Sequence, residues 1–586
     1  KIVADGGIQS KKEQNNMGKS MKLPVGIENF EEIRTEGYYY IDKTKLIEQL
    51  LDNQGKVNLF TRPRRFGKTL NMSMLKYFFE IGTNCALFDG LYISRNQTLC
   101  REHMAGYPVI FITLKNVDGL SFEEAKCQFM DVIGSEASRF RFLLDSQNLA
   151  PEDKEQYQAI IAMKSGAYWM SEPVLSRSLK TLSELLNKHY QKKALVLIDE
   201  YDVPLDKSFL HGYYREMVSL MRILFGNVLK TNDALQFAVL TGCLRVSKES
   251  IFTGLNNFKI LSITDPRFDE QFGFTDMEVK QLLKDYHLEQ RFEETKQWYD
   301  GYHFGNADVY CPWDVINHVD RIKDDPAARP ESYWINTSGN ELVKRFIDKA
   351  GKTTRNEIER LIAGEFIEKH LRLDLTYDEI DNSIENLWSV LFTTGYLTQA
   401  GMNADGAYKL MIPNEEVREI FKLQIQDWFK KSIFSNTEPL QAFWNAFESG
   451  NTAGMENYLM KTLSNSISVF DTKARNEEKE SSYHNLLVGI LTGNAGWLVK
   501  SNIEAGEGFA DIIVETDDPN TGIIVELKYT KEFRNMEQAC QKALQQIKDR
   551  RYSEYLLNDG RHNIFLYGIA FCKKRCKVIA EKFLEI

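Results

Sequence analysis

The chain has 586 residues, enough for about three to four domains at roughly 150 residues each. A composition of 43% hydrophobic and 27% charged residues, with only 13 prolines, excludes a disordered, collagen-like or disulfide-stapled protein. The net charge of −10 excludes a generic polyanion binder, so any nucleic-acid contact must use a locally basic surface. Residues 521–586 can provide one, because they contain 13 lysines and arginines but only 8 acidic residues, which gives a local charge of +5.

The cysteines and the hydropathy favour a cytoplasmic protein. The eight cysteines form no CxxC pair, which argues against a zinc site or a disulfide framework and favours a reducing cytosol. No apolar run approaches the roughly 18 residues of a membrane helix, so we expect no membrane partner. Residues 1–22 are polar and lack the apolar core of a signal peptide, and we expect them to form a flexible leader.

Residues 23–270 alternate short apolar runs with amphipathic segments. This pattern predicts an α/β domain with about five parallel strands that are buried on both faces. The predicted strands are Val57–Thr61, Pro108–Leu114, Ala194–Ile198, Gln236–Thr241 and Phe258–Ile263. The predicted helices between them include Leu70–Glu80, Phe122–Ser138, Ser176–Tyr190 and Arg215–Lys230.

Residues 271–470 have mainly helical periodicity and many aromatic side chains. We expect a helical lid-like or winged-helix-like region, with helices such as Asp276–Tyr286 and Ala442–Leu463 and a small β element near Gly395–Ile412. The aromatic motif Trp298–Tyr302 favours a packing and turn role over a ligand cage. Residues 471–586 then return to helix–strand–strand–helix–strand order, which predicts a second α/β domain.

A basic loop, residues 62–69 with the sequence RPRRFGKT, lies between the first strand and the first helix of the α/β domain. In such a loop, backbone N–H groups at the helix N terminus cradle phosphate, Lys68 reaches the β- and γ-phosphates of ATP, and Thr69 binds Mg²⁺. Arg62 stands where the usual motif has its first glycine. Taken alone, the loop is equally compatible with a basic turn before a helix.

A strand that ends in two carboxylates, Asp199 and Glu200, supports the nucleotide interpretation. Asp199 can complete the Mg²⁺ shell while Glu200 polarises the attacking water. A polar residue at the end of the strand Gln236–Thr241 could sense the γ-phosphate. Arg245 is a candidate for stabilising the transition state, with a surface ion pair as the alternative. The predicted nucleotide-binding residues are Arg64, Arg65, Phe66, Gly67, Lys68, Thr69 and Asp199.

Two strands near the C terminus, Phe509–Val514 and Ile523–Tyr529, are joined by a turn-rich segment. If they form a hairpin, a register shift of one residue either way sets Asp511 against Glu526 or Lys528. The two carboxylates can hold a divalent metal that activates water, and Lys528 can position that water or neutralise developing charge. The sequence does not fix the register, so this convergence is a hypothesis.

The helices that flank this hairpin carry further candidates. Glu480 and His484 lie on one helical face, where Glu480 can add a third metal contact. His484 can contact phosphate, although a lone histidine on a helix is more often structural. The following helix offers Gln546 and several cations for backbone phosphate.

Residues 23–420 resemble the AAA-ATPase-like family of the Bacteroidetes type. The RPRRFGKT loop is characteristic of that family, so the resemblance implies that the missing glycine is a family trait. Further matching motifs are LPVGI from residue 23, YIDKT from 40, DEYD from 199, WYDGY from 298, PW from 312, YW from 333, GYLT from 395 and IPNEE from 412. The resemblance implies a P-loop ATPase core that binds ATP and Mg²⁺, followed by a helical lid-like region.

The C-terminal pattern is similar to the PD-(D/E)XK nuclease core that commonly follows this ATPase family. The resemblance implies catalytic roles for Asp511, Glu526, Lys528 and Gln546, and it pairs Gln546 with Tyr552 on the helix that follows. It also implies a metal-binding role for Glu480. Upstream of Asp511 the chain departs from the pattern, because no basic residue precedes it.

We therefore expect a Mg²⁺-dependent nuclease under the control of a P-loop ATPase, with DNA as the favoured substrate. The alternative is a non-cleaving signalling ATPase whose C-terminal domain binds nucleic acid or protein. A homo-oligomer is left open. The expected segments are a leader at 1–22, an AAA-like ATPase domain at 23–270, a helical region at 271–470 and a nuclease-like domain at 471–586.

Overall fold

The computed structural model describes residues 21–244, 257–334, 340–380, 382–434, 437–465 and 476–583. The strands of these residues are β1 (Val57–Thr61), β2 (Val109–Thr113), β3 (Met163–Lys164), β4 (Ala167–Tyr168), β5 (Ala194–Asp199), β6 (Leu235–Gly242), β7 (Phe258–Leu261), β8 (Tyr302–Phe304), β9 (Ala307–Val309), β10 (Ile367–Lys369), β11 (Thr398–Met402), β12 (Tyr408–Met411), β13 (Leu498–Ala505), β14 (Gly508–Glu515), β15 (Thr521–Tyr529), β16 (Asn563–Cys572) and β17 (Arg575–Lys582).

The α-helices of the same ranges are numbered in chain order. They are α1 (Phe30–Thr35), α2 (Lys45–Asn53), α3 (Lys68–Phe79), α4 (Gln97–His103), α5 (Phe122–Ser138), α6 (Pro151–Ile160), α7 (Glu172–Tyr190), α8 (Val203–His211), α9 (Tyr214–Leu229), α10 (Asp276–Asp285), α11 (Phe292–Tyr299), α12 (Pro312–Asp324), α13 (Asn340–Lys349), α14 (Lys352–Ile362), α15 (Tyr377–Ile380), α16 (Ile384–Thr393), α17 (Glu415–Phe434), α18 (Thr437–Ser449), α19 (Thr452–Asn465), α20 (Asn476–Thr492), α21 (Met536–Asp549) and α22 (Ser553–Asn558).

The chain divides into two compact units. The first contains residues 1–337 and 368–417, and the second contains residues 338–367 and 418–586. The helical region expected at 271–470 therefore contributes to both units. Among the helices that the structure describes, none combines the length and the hydropathy that a membrane crossing requires.

A five-stranded parallel sheet forms the centre of the first unit, in the order β2-β5-β6-β1-β7. The predicted α/β class and all five predicted strands are confirmed. Every residue of β5 is buried, as its continuous apolar sequence requires in a sheet covered on both faces. Phe60 pairs with Thr241, and Ile198 pairs with Leu240, so β1, β5 and β6 end together at one edge.

The central part of the chain confirms the predicted helix at Asp276, which begins with a capping box between Thr275 and Glu278. A small sheet of β10, β12 and β11 accounts for the β element expected near residues 395–412. The single helix expected over Ala442–Leu463 is wrong. Gly450 has a φ of 79°, and this left-handed residue separates α18 from α19.

The second unit is built on a five-stranded sheet, β13-β14-β15-β16-β17, in which only β15 and β16 pair in parallel. One face packs against α18, α19 and α20 through a large apolar cluster. The opposite face packs against α21 and α22 through smaller clusters. The result is the helix–sheet–helix layering expected for a second α/β domain.

Gly568 in β16 is required by the close approach of α21 to the sheet. A Cβ atom built at this position would lie 2.2 Å from the carbonyl oxygen of Cys540, which is a backbone atom of α21. Because a backbone carbonyl cannot rotate away as a side chain can, a side chain at position 568 must push the helix outward.

We predict that Gly568→Ala lowers the free energy of unfolding of the second unit by about 1–3 kcal/mol through overpacking. Gly489→Ala is the matched control, since a Cβ there has no neighbour within 4 Å and α20 should gain up to about 1 kcal/mol in helix propensity. Urea unfolding of the full chain, followed by near-ultraviolet circular dichroism, measures both. Equal stability of the two variants would contradict the close approach.

Candidate functional sites

The basic loop at residues 62–69 reaches its turn without a glycine at position 62. The Arg62 N–H continues the sheet by donating to the carbonyl of Gly242 (3.0 Å), and Arg62 is not among the residues with positive φ. The left-handed positions are Arg65, with a φ of 71°, and Gly67, with a φ of 73°. Only the second is a glycine, so the backbone at Arg65 stores about 1–2 kcal/mol of strain.

The Arg62 side chain is a structural element rather than a phosphate ligand. It is fully buried, donates to the carbonyls of Leu261 (2.8 Å) and Phe268 (3.3 Å), and lies over the rings of Phe272 and Phe304. Burial lowers the pKa of Arg62 to about 10. The guanidinium therefore ties the start of the loop to the chain that follows β7.

Phe66 also faces the protein interior. Its side chain is fully buried against the rings of Tyr302 and Phe304, with centroid distances of 4.9 Å and 5.1 Å. Its predicted contribution to nucleotide binding is therefore restricted to the backbone. Phe66 and its two partners also give the WYDGY motif the packing role that its aromatic residues indicated.

The predicted nucleotide residues meet at the shared edge of β1, β5 and β6. Thr69 Oγ1 donates to Asp199 Oδ2 (2.8 Å), and Thr241 Oγ1 donates to the other carboxylate oxygen. The buried Lys68 Nζ lies 3.0 Å from the Pro63 carbonyl and 3.3 Å from Glu200 Oε1. The hydroxyl and carboxylate that would hold Mg²⁺ are therefore adjacent, beside an ammonium group placed for phosphate.

Asp202 is a member of this site that the sequence reasoning did not single out. Its Oδ2 accepts hydrogen bonds from the N–H groups of Cys243 and Leu244 (2.8 and 2.9 Å), which fixes the chain beyond β6. Burial, and then the charge of Glu200, raise the pKa of Asp202 to about 6. A third carboxylate two residues after the Asp-Glu pair was the available signal.

The remaining predicted residues of the loop lie at its rim. Arg64 is half-exposed and forms an ion pair with Asp206 at 3.4 Å, while Arg65 donates to the carbonyl of Tyr333 (2.6 Å). Arg245 lies outside the residues that the structure describes, and its role stays a prediction.

The C-terminal hairpin has one of the two registers that the sequence left open. β14 and β15 pair antiparallel, and the pair Ile512–Val525 makes Asp511 and Glu526 the next opposed positions. The two carboxylates thus face each other across neighbouring strands, as the sequence analysis proposed.

Regular pairing of β14 with β13 is interrupted at Asp511 and at Asn502 opposite it. Asn502 has a left-handed backbone, with a φ of 52°. Beside this break, His484 Nε2 donates to the Asp511 carbonyl (2.9 Å), and Leu527 N–H donates to Asp511 Oδ2 (2.7 Å). An interrupted ladder re-aims a side chain, and here it directs the Asp511 carboxylate to the end of β15.

The buried Glu526 and the partly exposed Lys528 form an ion pair beside Asp511. Lys528 Nζ lies 3.0 Å from Glu526 Oε1, whereas Glu526 Oε2 is buried without a hydrogen-bond donor. Burial, and then the charge of Asp511, raise the pKa of Glu526 to about 7. An orphaned carboxylate oxygen next to a second carboxylate fits a divalent cation, which would satisfy both.

Glu480 is placed beside the pair rather than within it. Its Oε2 accepts from the N–H of Tyr529 (2.9 Å), and its Oε1 lies 3.9 Å from Lys528 Nζ. Across the described ranges, no three Asp, Glu, His or Cys side chains are grouped to hold a metal ion. Glu480 and Asp511 each accept a backbone hydrogen bond from the end of β15, and the third metal contact from Glu480 stays a prediction.

Gln546 lies near the start of β14, the strand that carries Asp511. Its Nε2 donates to the Tyr552 hydroxyl (3.4 Å), and that hydroxyl approaches the backbone at Gly508. Cations around the second sheet are engaged in ion pairs, namely Lys548–Glu581, Arg551–Glu554, Lys574–Glu359 and Lys577–Glu456. Partly exposed pairs of this kind are weak and can exchange for phosphate.

Comparison with known proteins assigns both ends of the chain. Residues 24–252 match the family described as predicted AAA-ATPase, and residues 478–581 match the PD-(D/E)XK nuclease superfamily. The chain therefore contains a segment that matches the predicted AAA-ATPase family and a C-terminal segment that matches the PD-(D/E)XK nuclease superfamily. The AAA-ATPase match contains the whole RPRRFGKT loop and both strand-end carboxylates, and the PD-(D/E)XK match contains the hairpin with Asp511 and Glu526.

Two individual proteins are similar to this chain. An uncharacterized protein in the vnfD 5′ region of Azotobacter chroococcum mcd 1 is 29% identical over 407 residues, 68% of each chain. A solved structure, a signal transduction ATPase with numerous domains and a tetratricopeptide repeat sensor from Pyrococcus horikoshii, is 12% identical with a TM-score of 0.23. That match covers 78% of this chain and 54% of the other chain.

At the AAA-ATPase site, we predict that Glu200→Gln lowers ATP turnover by about 10²–10⁴-fold, the usual contribution of a general base. ATP affinity should be retained, because the substitution removes the carboxylate that pairs with Lys68 in the absence of phosphate. Steady-state hydrolysis and equilibrium binding separate the two effects. Glu216→Gln, at an exposed position on α9, is the control. Unchanged turnover in Glu200→Gln would contradict the assignment.

At the PD-(D/E)XK site, metal affinity should depend on the ionisation of Glu526. With a pKa of about 7, the carboxylate loses its charge below neutrality, so the Mn²⁺ dissociation constant should rise about tenfold from pH 8 to pH 6. Titration calorimetry of the full chain measures this. Glu526→Gln should abolish the pH-dependent part and exposed Glu507→Gln should keep it. A pH-independent constant in the wild type would refute the prediction.

The same ionisation affects folding. The folded protein raises the pKa of Glu526 from 4.5 to about 7, so the folded state binds this carboxyl proton more tightly than the unfolded state does. Without metal, the free energy of unfolding should therefore fall as the pH rises from 4.5 through about 7. Glu526→Gln should remove that slope.

Proposed function

We propose that this chain hydrolyses ATP in its first unit and cleaves phosphodiester bonds in its second unit. ATP is held by the backbone of residues 64–67, by Lys68 and, with Mg²⁺, by Thr69 and Asp199. Glu200 orients the attacking water. The adjacency of Thr69 and Asp199, with Oγ1 and Oδ2 2.8 Å apart, supports this proposal, since the two oxygens share the position that a hard cation requires.

The nuclease activity is assigned to Asp511, Glu526 and Lys528. The observation that carries it is the buried, donor-free Oε2 of Glu526, a carboxylate that pairs with Lys528 through Oε1 and whose pKa is raised by the charge of Asp511 as well as by burial. A Mg²⁺ ion bound there supplies a Lewis acid and lowers the pKa of water. Lys528 remains available to stabilise negative charge on the scissile phosphate, and Gln546 with Tyr552 supports the strand that carries Asp511.

DNA is the proposed substrate, and ATP turnover is proposed to regulate its cleavage. The positive charge of residues 521–586 supports nucleic acid as the partner, because ion pairs such as Lys548–Glu581 can open to phosphate. The presence of both family matches on one chain supports the coupling. ATP hydrolysis and phosphodiester cleavage are separate reactions, and a chain that carries both sites can use one reaction to regulate the other.

Incubation of the full chain with plasmid DNA and Mg²⁺, with and without ATP, tests the proposal. Cleavage is expected in the wild type, is expected to respond to ATP, and should be lost in Asp511→Ala/Glu526→Ala. Lys68→Ala should cleave without any response to ATP. A parallel incubation with single-stranded RNA establishes the substrate class.

Two outcomes would contradict the proposal. ATP turnover without cleavage of either nucleic acid would favour the signalling ATPase with a C-terminal binding module. Cleavage that persists in the double variant would show that the two carboxylates are not its source.

A further inference from the structure

The backbone strain at Arg65 is held by residues from the later part of the first unit. The guanidinium of Arg65 donates to the carbonyl of Tyr333 (2.6 Å) and lies 4.8 Å from the centre of the Trp313 ring. The Arg65 carbonyl accepts from the thiol of the buried Cys311, with the sulfur at 3.7 Å. Side chain and backbone of the same strained residue are thus both fixed from outside the loop.

Tyr333 is in turn held by Glu416, at the start of α17. Glu416 Oε1 accepts from the backbone N–H groups of Tyr333 (2.5 Å) and Trp334 (2.9 Å). These bonds leave the peptide that contacts Arg65 with little freedom. Glu416 is fully buried, so the bonds are shielded from competition by water.

The other oxygen of Glu416 faces Asp314. Glu416 Oε2 and both oxygens of Asp314 are buried without an N–H or O–H donor, and the charge of each carboxyl group acts on the other. Two carboxyl groups in contact away from water cannot both ionise, so the pair shares one proton. Burial, and then the charge of Asp314, raise the pKa of Glu416 well above its usual range.

We propose that Glu416 and Arg65 are positioning residues that set the shape of the nucleotide-binding loop, Glu416 through Tyr333 and Arg65 directly. The inference rests on the proposed binding of ATP at that loop. The motifs PW, YW and IPNEE have no role in the chemistry proposed for the site. In this arrangement they hold a loop in which a left-handed position is occupied by Arg65 and not by glycine. The support takes the place of the conformational freedom that glycine would supply.

The test measures the dissociation constant of a fluorescent ATP analogue with Mg²⁺ on the full chain, well below the melting temperature. Arg65→Ala should raise the constant about tenfold, because it removes the outer contacts and keeps the strain. Arg65→Gly should bind more tightly than Arg65→Ala, since glycine adopts the left-handed turn freely. Equal constants for these two variants would contradict the backbone part of the proposal.

Glu416 is tested by a conservative rescue. Glu416→Ala should raise the constant about tenfold, whereas Glu416→Gln should stay within about twofold of the wild type. Glutamine keeps the oxygen that accepts from Tyr333 and Trp334, and its amide can donate to Asp314 in place of the shared proton. Glu385→Ala, an exposed carboxylate in the first turn of α16, is the control and should change nothing.

The outcomes separate this inference from the proposed function. A wild type that does not bind the analogue would overturn the ATP site itself. A wild type that binds, together with wild-type constants in Arg65→Ala and Glu416→Ala, would overturn only the positioning role. If Glu416→Ala does not fold, Arg65→Ala, Arg65→Gly and Glu416→Gln decide whether the positioning role holds. A purely structural effect would lower the melting temperature and leave the dissociation constant of the folded protein unchanged.

Discussion

The proposed nucleotide site depends on the two hydrogen bonds that converge on the Asp199 carboxylate. Thr69 brings the loop that follows β1, Thr241 brings the end of β6, and Asp199 itself ends β5. Parallel strands make this meeting unavoidable, because their carboxyl ends share one edge of the sheet. The sheet therefore fixes the distances, and the sequence needs only to place an oxygen at the end of each strand.

Local sequence patterns were sufficient for the sheet and for most of both sites. Apolar runs of five to seven residues identified the strands of the parallel sheet, and the hairpin with Asp511 followed from its turn. Contacts that join distant segments could not be predicted, because no periodicity connects Arg65 to Tyr333 or Glu416. The break in the helix at Gly450 and the left-handed Asn502 were missed for a related reason, since a single backbone angle leaves the surrounding pattern intact.

Two carboxyl pairs in this chain show how surroundings decide the chemistry of identical groups. Asp314 and Glu416 are buried, and three of their oxygens have no N–H or O–H donor, so a proton shared between the two carboxyl groups supplies what the protein does not. Asp511 and Glu526 occupy neighbouring strands with Lys528 beside them, and Glu526 Oε2 lacks a donor. The first pair can be satisfied by a proton, whereas the second, which lies beside a cationic side chain, fits a metal ion.

The burial of Phe66 limits where the chain can be truncated without exposing the RPRRFGKT loop. The family match ends at residue 252, yet the aromatic rings that cover Phe66 belong to β8, and the edge strand β7 begins at Phe258. A fragment cut at that limit would carry every letter of the RPRRFGKT signature while exposing its phenylalanine to water. The segment that matches the family is therefore shorter than the part of the chain that encloses Phe66.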